Sequence, residues 1–238
     1  MRTLRASLCL LLMPLGAAAA DLVVLVDTGT EMPMARFVNY RLIDGIHRDI
    51  GLELARRTGR VARFMSLPRK RIARALEDGH ADVLCSYMPE WLDGKYHWTQ
   101  PFIPIVQVLV TDKSVPAPTH ISELAGKQIG TVLGYAHPEL EALLGKQFLR
   151  SDGPTTESNL RKVGAGRVKY AVTGKSFLDY RLKVGDPMLT VHPPLVVSTY
   201  MGQCAVSQKG RAKLADIDRA IGAMLRDGTV NTILAKYR

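Results

Sequence analysis

The chain is 238 residues long and carries 32 basic against 22 acidic side chains, a net charge of +10. That length exceeds a typical single core and predicts two modest lobes of roughly 100 residues each. Past the first twenty residues no apolar stretch reaches the length of a membrane span, since the longest, residues 102–110, is interrupted by Pro104 and Gln107.

In chain order, the first segment reads as a secretory leader. Arg2 and Arg5 precede a short apolar run over residues 8–15, and Ala18, Ala19 and Ala20 fit a small-residue cleavage site. A mature periplasmic chain beginning at Asp21 is expected. Cys9 lies inside the apolar run and not at the mature start, which argues against a lipid anchor. Export argues against nucleic acid as the partner of the positive charge, and a basic surface is an ordinary route to solubility. Two cysteines remain, Cys85 and Cys204; an oxidising compartment permits one disulfide, but spacing alone does not show that they meet.

From Asp21 the pattern alternates strand and helix, the signature of an α/β fold with mostly parallel sheets. Residues 22–26 (LVVLV) form a continuous apolar run suited to a strand covered on both faces. Ile43, Ile46, Ile50 and Leu54 recur at helical spacing, and Gly59 ends that helix. A strand over 61–65 and a helix over 69–78 repeat the unit between Pro68 and Gly79, and residues 81–86 supply a third strand. The stretch 111–118 (TDKSVPAP) has two prolines and no apolar period, and is expected to be the linker between lobes. A second unit follows: strand 127–132, a turn at Gly134, helix 137–144, helix 158–163, strand 167–173, helix 176–182 and a return strand over 200–206. If the return strand adds beside the third strand, Cys85 and Cys204 become neighbours. Leu214, Ile217, Ile221 and Leu225, then Val230, Ile233, Leu234 and Tyr237, mark closing helices that should pack back on the first lobe.

Several short motifs occur along this frame: G-I-H-R-D-I from Gly45, A-L-x-x-G-x-A-D-V over 75–83, W-T-Q-P-F over 98–102, L-A-G-K-Q-I-G-T-V-L-G-Y over 124–135, and M-L-R-D-G-T-V-N-T-I-L-A-K-Y over 224–237. In this order and spacing they resemble the type II periplasmic binding proteins of family 3, the amino-acid-binding-like class. P-R-K-R-I-A-R-A-L over 68–76 resembles a subgroup that often lacks an assigned ligand. The resemblance implies two lobes, each a mostly parallel sheet flanked by helices, hinged on two crossing strands. The expected limits are 21–112 with 198–238 for the first lobe and 113–197 for the second.

In amino-acid binders of this family an arginine past the third strand holds the ligand carboxylate and an aspartate of the second lobe pairs with its ammonium group. Here the positions that match are Leu92, with Pro89 at the neighbouring threonine, and Lys169 and Gly174 where acidic residues are expected. Both clamps are therefore absent, and a standard amino acid would bury two charges without matched partners.

Strand carboxyl ends should line the crevice. The candidates from the first lobe are Thr28, Glu31, Met34, Ser86, Tyr87, Met88 and Trp91, with Arg71 as a cation for an anionic group. The second lobe offers Gly134, Tyr135, Ala136, Thr173 and Lys169, the Gly134 turn presenting backbone N–H groups. The side chains favour a small organic acid or aromatic compound, handed to a membrane permease or receptor by a monomer. His137 reads as a helix start, and neither metal nor cofactor is expected. An exported lyase like the cyclohexadienyl dehydratases is the alternative that the fold implies, and Glu31 is its one nominated carboxylate, so catalysis is not expected.

Overall fold

The computed structural model describes residues 19–185 and 189–237. The expected leader falls outside these residues but for its last two positions.

The first strand, β1 (Asp21–Asp27), buries Leu22, Val24, Leu25 and Val26. A small hairpin follows, β2 (Arg36–Val38) and β3 (Arg41–Asp44), and then α1 (Ile46–Arg57). The expected start of this helix at Ile43 is corrected: Ile43 is an exposed residue of β3. Gly45 separates the two elements at φ 115°, a backbone angle that side chains resist, and a Cβ there would stand 2.5 Å from the Met34 carbonyl oxygen. Residues 43 and 46 thus share a helical spacing without sharing a helix.

The chain continues through β4 (Val61–Leu67), α2 (Arg69–Glu77), β5 (Val83–Tyr87), β6 (Tyr96–Trp98) and β7 (Ile103–Thr111). Then come β8 (Gln128–Val132), α3 (Pro138–Leu144), β9 (Leu149–Gly153), α4 (Thr156–Gly164), β10 (Tyr170–Gly174) and α5 (Lys175–Lys183). The long return strand β11 (Leu195–Ser207) leads to α6 (Leu214–Arg226) and α7 (Thr229–Lys236). The strands lie in the order β4-β1-β5-β11-β7-β10-β8-β9, with β6 beside β11. Pairing is parallel within each end of this curled sheet and antiparallel where β11 and β7 join.

The apolar cores divide the molecule in two. Two clusters draw their buried side chains from residues 22–103 and 204–237, and two others from 108–178. Ile217, Ile221, Met224, Val230 and Leu234 share a cluster with Ile50 and Leu54, so the closing helices complete the first half. Tyr237 anchors them there: its hydroxyl accepts from Gly45 N at 3.2 Å and stands 3.0 and 2.9 Å from the Asp44 and Asp49 carboxylates.

The change of core falls inside strands. Ile103 packs with the first half and Val106 with the second; on the way back Val197 packs with the second half and Cys204 with the first. The expected linker 111–118 is therefore corrected: it lies within the second half, where Asp112 bridges Val191 and Lys113 N donates to Thr190 O at 3.1 Å. An extended strand crosses between two cores as readily as a loop, and its alternating apolar residues show no break at the crossing. Among the described residues no helix is long and apolar enough to cross a membrane.

Candidate functional site

Between the halves lies a cavity of about 570 Å³, within the range of sites for small organic ligands. Its walls are the loop after β1, the carboxyl ends of β5 and β10, the crossing stretch of β7, and the segments that lead into α3 and α5. Those are the ends at which a parallel sheet leaves room for a ligand, because the chain there turns away into helices.

Of the residues expected from sequence, Glu31, Met34, Ser86, Tyr87 and Trp91 line this cavity from the first half, and Tyr135, Ala136 and Thr173 from the second. Five expected residues do not. Thr28 uses its backbone N–H on Leu67 O at 3.0 Å and, like Met88, stands off the wall. Gly134 is exposed behind Tyr135. Lys169 turns to Asp112 at 3.2 Å and Ser114 Oγ at 2.9 Å.

Arg71 is the instructive correction. It is exposed, and Arg69 faces the cavity in its place. The helical period carries this signal: residue 69 lies three and seven positions before the buried Ile72 and Leu76, so it shares their inward face, while residue 71 is turned away. Leu92, matched by resemblance to the family's carboxylate-binding arginine, does not line the cavity. It is packed in the first-half core, and its neighbour Trp91 lines the cavity. Other wall residues that the sequence reading did not place at the site include Gln107, His137, Lys175 and Phe177.

The first wall carries a closed polar cluster. Arg69 donates from Nη1 to the Tyr87 hydroxyl at 2.6 Å and from Nη2 to the Trp91 carbonyl at 2.8 Å. The Tyr87 hydroxyl in turn donates to Asp27 at 3.3 Å, and Arg69 stands 3.9 Å from the same carboxylate. Burial pushes the Asp27 carboxyl up, opposed by the Gly29 N–H bond and by Arg69. The Arg69 guanidinium also lies over the rings of Tyr87 and, across the cleft, Tyr135, at 4.8 and 5.4 Å from their centroids. Burial raises the Tyr135 hydroxyl to about 12.

A second contact joins the halves. The Glu31 carboxylate accepts the Glu157 backbone N–H at 2.9 Å, in the first turn of α4, where the helix dipole favours negative charge. Burial nevertheless raises the Glu31 pKa. Tyr200 of β11 packs edge-on against Trp91 at 5.1 Å and donates to Glu139 of α3.

Several other polar groups of wall residues lack partners. Ser86 Oγ, Gln107 Oε1, Thr173 Oγ1 and both ring nitrogens of His137 are buried without a hydrogen bond among the described residues. Burial holds His137 and a second wall residue, His47 of the first half, at pKa values of about 4. Ser86 sits at φ 64°, a left-handed angle uncommon for any residue but glycine, asparagine and aspartate. Among the described residues no three His, Cys, Asp or Glu side chains are grouped to hold a metal ion.

The sequence profile of the bacterial extracellular solute-binding proteins, family 3, matches residues 23–238. The chain is a member of that family. As a family-3 solute-binding protein it shares its two-lobed fold with many solved structures. An ancestral arginine-binding protein bound to arginine superposes with a TM-score of 0.76 at 20% identity, over 93% of this chain and 99% of that one. A histidine kinase sensor domain with similarity to periplasmic binding proteins gives 0.76 at 20% identity, over 92% and 96%. The ancestral amino acid-binding protein AncCDT-1, a precursor of cyclohexadienyl dehydratase, gives 0.75 at 19% identity, over 92% and 95%. Similarity at this level speaks for the fold alone. No curated protein matches the sequence.

Proposed function

We propose that this family-3 protein captures a small organic solute between its two lobes in the periplasm and presents the closed form to a membrane permease or receptor. The observation that carries the reading is the cavity itself: 570 Å³, set where two strands cross between separate cores, with apolar and aromatic walls and a few convergent polar groups. Capture works by population shift, because a solute touching both walls binds the closed arrangement better than any open one.

The solute is an organic acid or an aromatic compound rather than a standard α-amino acid. Gly174 offers no carboxylate to an ammonium group, and the wall residue past β5 is Trp91. A zwitterion would leave water without matched charges, at a cost of several kcal/mol. Aromatic area from Trp91, Tyr135 and Phe177 rewards a flat body instead. Binding is favoured over catalysis, since the wall carboxylate Glu31 already accepts a backbone N–H of α4.

A thermal-shift screen of organic acids, aromatic compounds and amino acids tests this. A solute at about 100 times its Kd raises stability by about 2.7 kcal/mol. Micromolar binding of an ordinary amino acid would overturn the ligand assignment, and the absence of any stabilising compound would overturn capture.

A further inference from the structure

The capture reading leaves open whether the solute carries charge, and one cation of the first wall bears on that. Arg69 donates from Nη1 to the Tyr87 hydroxyl and from Nη2 to the Trp91 carbonyl. A guanidinium carries five N–H groups, so the Nε–H and one on each Nη are left over. A solute can reach them: Arg69 lines the cavity with 27% of its side chain exposed. Its Nε has no hydrogen-bond partner among the described residues and is not shut off from the surface, in contrast to the enclosed Ser86 Oγ.

The surroundings match this charge only in part. Asp27 stands 3.9 Å from the guanidinium, too far for a hydrogen bond. Its carboxylate instead accepts the Gly29 N–H at 2.8 Å and the Tyr87 hydroxyl at 3.3 Å, and burial pushes its pKa up, so its negative charge is weakly held. Tyr135, across the cleft, stays protonated because burial raises its hydroxyl to about 12. Glu31 is turned to α4. Arg69 also opens α2 in a first turn without any acidic residue, followed by Lys70 and Arg71, where the helix dipole disfavours cations. Bonds to a hydroxyl and a carbonyl need donors and not a charge, so a charge kept at this unfavourable place points to an anion from outside.

The other cation of the described wall, Lys175, is paired with Asp179 at 2.6 Å, so a second carboxylate on the solute finds no equal partner. Nor does Arg69 stand where the family resemblance puts a carboxylate-holding arginine. That position, past β5, is the buried Leu92, whereas Arg69 reaches the cavity from α2.

We propose that Arg69 determines the specificity of the cavity: it receives the single carboxylate of a flat, largely apolar solute on its remaining N–H groups, while Asp27 and Tyr87 behind it are positioning residues that hold the fork in place. This rests on the capture reading and narrows the solute to a monoanion. Asp27 also competes with that anion for the same cation, so its charge limits the affinity. A neutral amide gains less from Arg69, because a hydrogen bond between two charged groups is about twice as strong as one to a neutral oxygen.

Isothermal titration of the mature protein with matched pairs, benzoate against benzamide and nicotinate against nicotinamide, tests the proposal. The acids are expected to bind about tenfold or more tightly than their amides. Arg69→Gln, which keeps donors for Tyr87 and Trp91, should weaken the acids about thirtyfold and leave the amides nearly unchanged. Asp27→Asn removes the competing charge and should tighten the acids about fivefold without tightening the amides, a shift that a merely structural aspartate would not produce. The proposal is overturned if either amide binds as tightly as its acid, if the acid preference survives in folded Arg69→Gln, or if neither acid binds at millimolar concentration. Should Arg69→Gln fail to fold, Asp27→Asn decides: an equal loss for acids and amides overturns the assignment. Those outcomes leave capture standing as long as some other compound of the wider screen binds; only a screen without any binder removes capture itself.

Discussion

The two halves of the molecule are secured by different means. In the first, Cys85 of β5 is bonded to Cys204, its partner in β11, across 119 positions of sequence. The buried Asp82 carboxylate accepts the backbone N–H groups of Val23, Arg211 and Ala212 at 2.7, 2.5 and 3.1 Å. The second half, among the described residues, has no such covalent tie and relies on apolar packing, on buried neutral bonds such as Asn159 Nδ2 to Thr131 O at 2.7 Å, and on ion pairs such as Arg150 with Asp152 at 2.9 Å. The difference follows from assembly. The first half joins the two ends of the chain, so closing it orders a long intervening loop, while the second folds from one contiguous stretch.

If the tie serves that closure, removing it has the largest effect of any change considered. Replacing Cys85 and Cys204 together by alanine should cost about 4 to 5 kcal/mol, as a loop of this length predicts, measured by urea unfolding of the mature protein. A loss below about 1 kcal/mol would remove the entropic account.

His137 sharpens the contrast from the second half, since among the described residues it is buried without a hydrogen-bond partner. Its pKa falls from 6.5 to about 4 on folding, so the unfolded chain binds the proton more readily. Stability is therefore full above pH 6.5 and declines as the pH falls toward 4, by about 3 kcal/mol for this residue. His47 adds a similar loss from the first half. Melting curves from pH 7 to pH 4 should show the decline, and His137→Phe should flatten its share; an unchanged slope would remove His137 as the cause.

The smallest effect lies between the halves. Glu31→Ala removes the carboxylate from the first turn of α4 and should weaken the closed arrangement by about 1 kcal/mol, seen as an increase in the radius of gyration by small-angle scattering. Glu31→Gln keeps an acceptor and should fall between the two. A variant as compact as the parent would show that the contact does not hold the lobes together.

Much of the fold was legible in the sequence where periods are local. The LVVLV run became β1, Pro68 opened α2, and the closing apolar spacing became α6 and α7 packed on α1. Short strands escaped, because β2, β6 and β9 are too brief or too exposed to show a period. The cavity was legible in part: eight expected residues meet there, since strand ends are predictable, but Lys169 and Arg71 were placed on it by their charge and both turn elsewhere.

The sequence by itself determined the alternation of strands and helices and, through the order of its motifs, the family. Both are written along one dimension and need no knowledge of distant partners. Only the tertiary structure decided where the chain crosses, since β7 and β11 pass from one core to the other without a change in their pattern. It also decided which charges remain available to a solute. That depends on pairs such as Arg69 with Tyr87, or Glu31 with α4, whose members lie 18 and 126 positions apart and meet only when the sheet has formed.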